Sequence, residues 1–292
     1  MPISHRLHGP INIRPDEGIQ EAPKRIVFLS VEGNKTEKNY FCNVDKHREQ
    51  LGIHSLVHVE TLSRYSKDTR SSPSDVYELL TEYIDIRKDG ILPEEILDVL
   101  KNKDFSYSVE YLSKYLNGEL PDRDARKLQA KIERIGIDLD YHKFLSAYKG
   151  DQGEDVFAVM IDRDSLSHSE EEILKLIEDC KDNGYKCFIS TPCFEFWLLL
   201  HVCDVKEEYK DKLGDILENR KVTSSHTFVS KELSQKANHG KTISEKAFKE
   251  NYLDNIDIAI ERAKQFEQTE RGLINKLGSN IPELFKILRE PL

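Results

Sequence analysis

The stretch Arg25–Tyr40 reads RIVFLSVEGNKTEKNY. Its first seven residues are continuous, apolar and rich in β-branched side chains, the pattern of a strand buried on both faces. Pro23 and Gly33 bound the run, and it ends abruptly on Glu32. A polar segment of helical character follows. Asn34 with Glu37 three residues later reads as a helix cap and its capping-box partner, with a helix from there to about Gln50. A buried strand that finishes on a carboxylate, turns on a glycine and enters a helix is the start of an alternating α/β chain.

The same grammar recurs downstream. Leu56–Leu62 (LVHVETL) alternates as a second strand, and the polar segment SRYSKDTRSSPSD leads to a helix capped by Ser74 or Asp75. Val156–Ile161 (VFAVMI) is the most hydrophobic strand and ends in Asp162-Arg163-Asp164. Ser169 with Glu172 forms a second capping box, and Ile173, Leu176, Ile177 and Cys180 make one apolar helical stripe. Tyr185–Ser190 returns as a strand, and Thr191–Pro192 opens a helix, CFEFWLLLHV, with proline at its first position. Strands alternating with helices predict a mostly parallel sheet covered on both faces. Residues 88–150 differ in kind: PEEILDVL, YSVEYLSKYL and RKLQAKIERI have helical periodicity and read as an insertion of three or four short helices. The expected organisation is an N-terminal arm at 1–24, a sheet domain at 25–202 carrying the insertion, and a helical C-terminal region at 203–292.

Composition narrows the function. The chain has 292 residues, 38% hydrophobic and 33% charged, with a formal net charge of −10. That balance excludes a non-specific nucleic-acid coat, which needs a basic footprint. It leaves room for a metal-dependent enzyme on nucleic acid, whose site must itself carry carboxylates. The five cysteines (42, 180, 187, 193 and 203) include no CxxC pair and read as free, mostly buried thiols. No apolar run is long enough to span a bilayer and no signal peptide is evident, so a cytoplasmic location without membrane contact is expected. The lysine excess at Ser230–Lys249 reads as solvated surface. GKT at 240–242 is not a P-loop, because Gln235 stands where the first glycine is required. Trp197 reads as core and His201 as a satisfied, half-buried histidine.

In parallel sheets, functional groups gather beyond the carboxyl ends of the strands. Glu32, Asp162 and Asp164 share that end. Clustered carboxylates raise one another's pKa and call for a cation, and a hard ion such as Mg²⁺ takes oxygen ligands together with substrate phosphates. Gly33 would let a phosphate approach the backbone, and Lys35 would neutralise it. Lys241 is a further candidate phosphate contact.

VEGNKTE resembles the first motif of the TOPRIM domain and MIDRD its second. More specifically, SVEGNKTEKNYF, VMIDRDS and STPCFEFWLLLH are similar to successive motifs of the RloB family, also called AbiLii-like proteins, and the segment from IAIERAKQFE onward is similar to the family's helical tail. The resemblance implies a TOPRIM-like, Rossmannoid sheet and a Mg²⁺-dependent nuclease (Mn²⁺ as substitute ion) cutting DNA or RNA in bacterial defence against phage. It implies Glu32 in proton transfer or metal binding, Asp162 and Asp164 as metal ligands, and an ATPase partner protein. Glu195, inside PCFEFW, would complete the site. The rival reading is a non-catalytic nucleic-acid-binding or scaffold subunit of an ATPase-containing complex. The sequence does not choose between DNA and RNA, and a homo-oligomer stays open.

Overall fold

A computed structural model describes residues 23–33, 35–62, 72–89, 108–116, 119–135, 154–164, 168–240 and 242–292. These fall into two compact units, one holding described residues of the span 81–151 and the other the rest.

The second unit is built on a five-stranded sheet in the order β2-β1-β3-β4-β5. Its strands are β1 (Arg25–Val31), β2 (Val57–Thr61), β3 (Val156–Asp162), β4 (Lys186–Thr191) and β5 (Gly278–Ser279). The first four pair in parallel, and β5 runs antiparallel to β4. The fold is therefore α/β with a mostly parallel sheet and flanking helices, as the alternating pattern predicts. β1, an inner strand, is buried from Ile26 to Val31, whereas β2, at the edge, alternates buried Val57, Val59 and Thr61 with half-buried His58 and Glu60. That difference is what an inner and an edge strand require of their side chains.

The helices of this unit are α1 (Thr36–Lys46), α5 (Glu170–Asp182), α6 (Phe194–Val202), α7 (Val205–Glu208), α8 (Leu213–Glu218), α9 (Phe228–Ala237), α10 (Glu245–Asn251), α11 (Ile256–Ala263) and α12 (Ile281–Arg289); α2 (Pro73–Asp89) follows β2. α5 begins as read: the Ser169–Glu172 capping box is closed in both directions and Ile173, Leu176, Ile177 and Cys180 are buried. Other boundaries differ. α1 starts at Thr36 behind Lys35, which makes no side-chain cap, and stops at Lys46; Glu37 is not a capping-box partner because its side chain turns inward. α2 is closed by Ser72 and Asp75, each side chain accepting the other's backbone N–H, so the cap is Ser72, two residues before Ser74, with Asp75 as its partner. α6 starts at Phe194, with Cys193 rather than Thr191 before it, so Pro192 is outside the helix.

α6 is apolar on every side, and all its residues from Phe196 to His201 are buried. A helix of that kind must be covered all round. It lies beside β4, and α9 and α11 pack on its other sides. Arg262 closes its end, donating to the carbonyls of Leu200 (2.7 Å) and His201 (3.2 Å), where a cation suits the helix dipole. The polar atoms inside are all placed. His201 Nδ1 lies 3.0 Å from the Trp197 carbonyl, so it carries the proton. Its Nε2 then accepts from the Tyr40 hydroxyl (3.1 Å), whose oxygen accepts from Trp197 Nε1 (3.2 Å). Burial drives the His201 pKa down to about 3, which keeps this network neutral. The histidine is fully buried rather than half-buried.

In the first unit, α3 (Val109–Leu116) and α4 (Asp122–Ile135) fall where YSVEYLSKYL and RKLQAKIERI predict helices, with Leu112, Tyr115 and Leu128 buried. PEEILDVL lies outside the described residues. Three of the Ser230–Lys249 lysines are engaged in ion pairs, Lys236 with Glu208, Lys246 with Glu250 and Lys249 with Glu245. All five cysteines are free and four are buried. No helix among the described residues is long and apolar enough to cross a membrane.

Candidate acidic site at the carboxyl end of the sheet

The chain steps from β1 outward to β2, then returns to lay β3 on the opposite side of β1. The junction of β1 and β3 is thus the point where strand order reverses, and ligand sites in open α/β sheets form in the crevice beyond it. Val31 is in register with Met160. The ladder continues one residue further, the Glu32 N–H donating to the Met160 carbonyl (3.2 Å). Glu32 therefore leaves the sheet at its carboxyl end, where its Oε2 accepts the Asp162 backbone N–H at 3.1 Å.

Asp162 ends β3 with its carboxylate under α6. Its Oδ1 accepts the N–H of Phe194, the first residue of that helix, at 2.8 Å. Cys193 makes no side-chain cap, so an aspartate from another strand does the capping, and the helix dipole favours its charge. Glu195 stands in the first turn of the same helix. Glu37 stands in the first turn of α1, only 6% exposed. Its carboxylate lies over Gly33, where an added Cβ would come within 2.2 Å of Glu37 Oε2. The open face of Gly33 that the sequence suggested for a phosphate is therefore filled by a fourth acid.

Four carboxylates thus act on one another. Burial pushes the Asp162 carboxyl well up, and the charges of Glu37, Glu32 and Glu195 push it further. Burial raises Glu37 to about 7, with Glu195 and Glu32 adding to it. Burial and the neighbouring Glu195 and Asp162 also hold the Cys193 thiol protonated, so it is no nucleophile. On the other flank, His168 Nε2 lies 3.5 Å from Glu32 Oε1. Asp164 acts on this histidine rather than ranking among the charges that shift Asp162.

Of the residues expected from sequence, the structure brings together Glu32, Asp162 and Glu195. Asp164 sits toward His168, Lys35 is exposed just before α1, and Lys241 lies outside the described residues. Sequence reading missed three. Glu37 was visible as an acid but read as a cap. His168 and Arg163 carry no local signal, because the contacts with Glu32 and Ile274 come from distant segments. Arg163 is 5% exposed and donates to the carbonyls of Ile274 and His168, both at 2.9 Å.

Among the described residues, no three His, Cys, Asp or Glu side chains are disposed as a ready-made metal-ligand set. The donor chemistry nonetheless fits a hard divalent ion: the groups are carboxylates, and two of them are held against their charge by burial and mutual repulsion.

Gly33→Ala tests the packing. The new methyl group would displace the Glu37 carboxylate from its bond with the Gly33 N–H, and the loss is expected to cost about 1–3 kcal/mol in urea unfolding. Unchanged stability would mean that Glu37 is not held there.

The fold and site together define an α/β protein with a partly buried acidic cluster at the sheet's switch point. Residues 27–288 match the family model described as RloB-like protein, and the chain belongs to that family. Comparison with curated proteins and with solved structures gave no match in either case.

Proposed function

We propose that the protein is a Mg²⁺-dependent nuclease of the TOPRIM type that hydrolyses phosphodiester bonds of DNA or RNA, working with an ATPase partner in bacterial defence against phage. The observation that carries this reading is the carboxylate cluster at the β1–β3 switch point: Glu32, Glu37, Asp162 and Glu195 are mutually repelling, with Glu37 buried and the other three half-buried. A structural role gains nothing from that repulsion, whereas a cation site needs it.

Glu32, Asp162 and Asp164, with Glu195 or Glu37, would hold the ion. When bound, Mg²⁺ supplies positive charge against the scissile phosphate and the leaving oxygen. Glu32 would act as general base toward water or help hold the ion: it is partly exposed, and its Oε2 accepts the Asp162 N–H. Asp162 ties the site to the α6 N-terminus. Without the ion, burial and the neighbouring acids push the Glu37 carboxyl up, so it would yield its proton as the ion binds. Lys35, with Lys241, would meet the substrate backbone.

The test is cleavage of single-stranded RNA, tRNA and plasmid DNA with Mg²⁺ or Mn²⁺ against EDTA, with the partner ATPase supplied. Glu32→Gln should lower the rate about 10²–10⁴-fold. Cutting that survives the substitution would remove Glu32 from the mechanism. The reading as a non-catalytic nucleic-acid-binding or scaffold subunit draws on one observation, that the described acids are not pre-set at ligand spacing; it takes over if no polymer is cut.

A further inference from the structure

Glu32 lies among three other acids, and repulsion alone would swing its half-buried side chain toward solvent. Two donors oppose that. The Asp162 backbone N–H holds Oε2 at 3.1 Å, and His168 Nε2 faces Oε1 at 3.5 Å. The imidazole contact is long, as catalytic hydrogen bonds often are before substrate binds. The cap of α5 does not use the His168 side chain. The start of α5 is closed by Ser169 and Glu172, which satisfy each other's backbone N–H groups without it. Yet its side chain is 8% exposed and turned to Glu32, and its backbone is pinned. The His168 N–H donates to the Asp164 carbonyl (3.2 Å), and its carbonyl accepts from the Arg163 guanidinium (2.9 Å).

Arg163 explains how that placement is enforced. An arginine between two aspartates, beside four acids, would be expected to pair with a carboxylate. Instead its Nε reaches the Ile274 carbonyl and its backbone N–H the Ser190 carbonyl at 2.8 Å. The cation is spent on two carbonyls, those of Ile274 and His168, and the second of these bonds fixes the His168 backbone.

We propose that His168 is the positioning residue for Glu32, orienting its carboxylate by donating from Nε2, and that Arg163 acts by fixing the His168 backbone. The assignment rests on the nuclease reading of the site. Groups that hold a metal-site carboxylate from behind typically govern activity or metal affinity by about 10–100-fold.

The experiment compares wild type, His168→Ala and His168→Gln by cleavage kinetics and by Mn²⁺ titration calorimetry, with circular dichroism as the folding control. His168→Ala should lower kcat about 10–100-fold with little change in KM, and weaken Mn²⁺ binding to a similar degree. Glutamine, a neutral donor of similar reach, should restore most of both. If the alanine protein does not fold, His168→Phe supplies the donor-less variant. The proposal is overturned if the donor-less variant matches wild type, or if glutamine, while folded, is as impaired as alanine. If the wild type cuts no polymer, the nuclease reading falls and the Mn²⁺ series alone decides the role of His168. A wild type that binds no Mn²⁺ overturns both.

Discussion

Glu37→Gln is expected to raise the stability of the metal-free protein by about 3 kcal/mol at pH 8 and to change it little at pH 4.5. The sign follows from proton binding. Burial and the neighbouring acids lift the Glu37 pKa from 4.5 to about 7 in the folded protein. Between those values the native state holds a proton that the unfolded chain has lost, so stability is full below about pH 4.5 and drains away as pH rises through 7. Glutamine mimics the protonated acid, still accepts the Gly33 N–H, and has no charge to acquire. Urea unfolding in EDTA between pH 4.5 and 8 reads the effect directly. Wild type should slope downward with pH, and the variant should run flatter. Asp162, displaced in the same direction, leaves the variant some residual slope. Parallel curves for the two proteins would mean that Glu37 ionises normally in the fold. Added Mg²⁺ should invert the comparison at pH 8, stabilising wild type more than the variant.

Trp197→Ala is expected to cost about 3–5 kcal/mol, the range for removing a fully buried indole. Trp197 has no exposed surface, stands edge-on to His201 with centroids 4.8 Å apart, and packs on Phe285 at 5.9 Å. Its loss leaves a cavity inside α6 and takes the donor from the Tyr40 hydroxyl. Denaturant unfolding should show the loss in the midpoint. Trp197→Phe should recover part of it and leave the hydroxyl oxygen without its donor. A cost below about 1 kcal/mol would mean that α6 tolerates collapse around the gap.

The parts legible in sequence were those whose cause is local. β1 and β3 show as continuous apolar runs because both faces of an inner strand are covered, and α5 shows through its cap and stripe because each contact spans three or four residues. The acids at the strand ends follow from those two elements. What stayed hidden depends on distant partners. Asn34 and Glu37 have capping-box spacing, yet Glu37 gains more by lying against Gly33 beneath the β3 end. Pro192 suits a first helical position, but the helix start is fixed by the Asp162 carboxylate, 32 residues earlier in the chain. Arg163 reaches Ile274 across 111 residues, and no window of sequence contains both. β5, two residues long, has no periodicity to detect.

β4 carries a consequence in time. Its outer side is closed by β5 and by the Asn280 side chain, which accepts from the Ile189 N–H at 2.6 Å and donates to the Cys187 carbonyl at 2.9 Å, imitating a strand with a single amide. The Asn280 contacts span 91 and 93 residues. At about 5–20 residues per second, the ribosome takes roughly 5–18 s to supply them. A nascent chain whose first four strands have paired holds, for that interval, an open sheet edge able to pair with a neighbour on the same message.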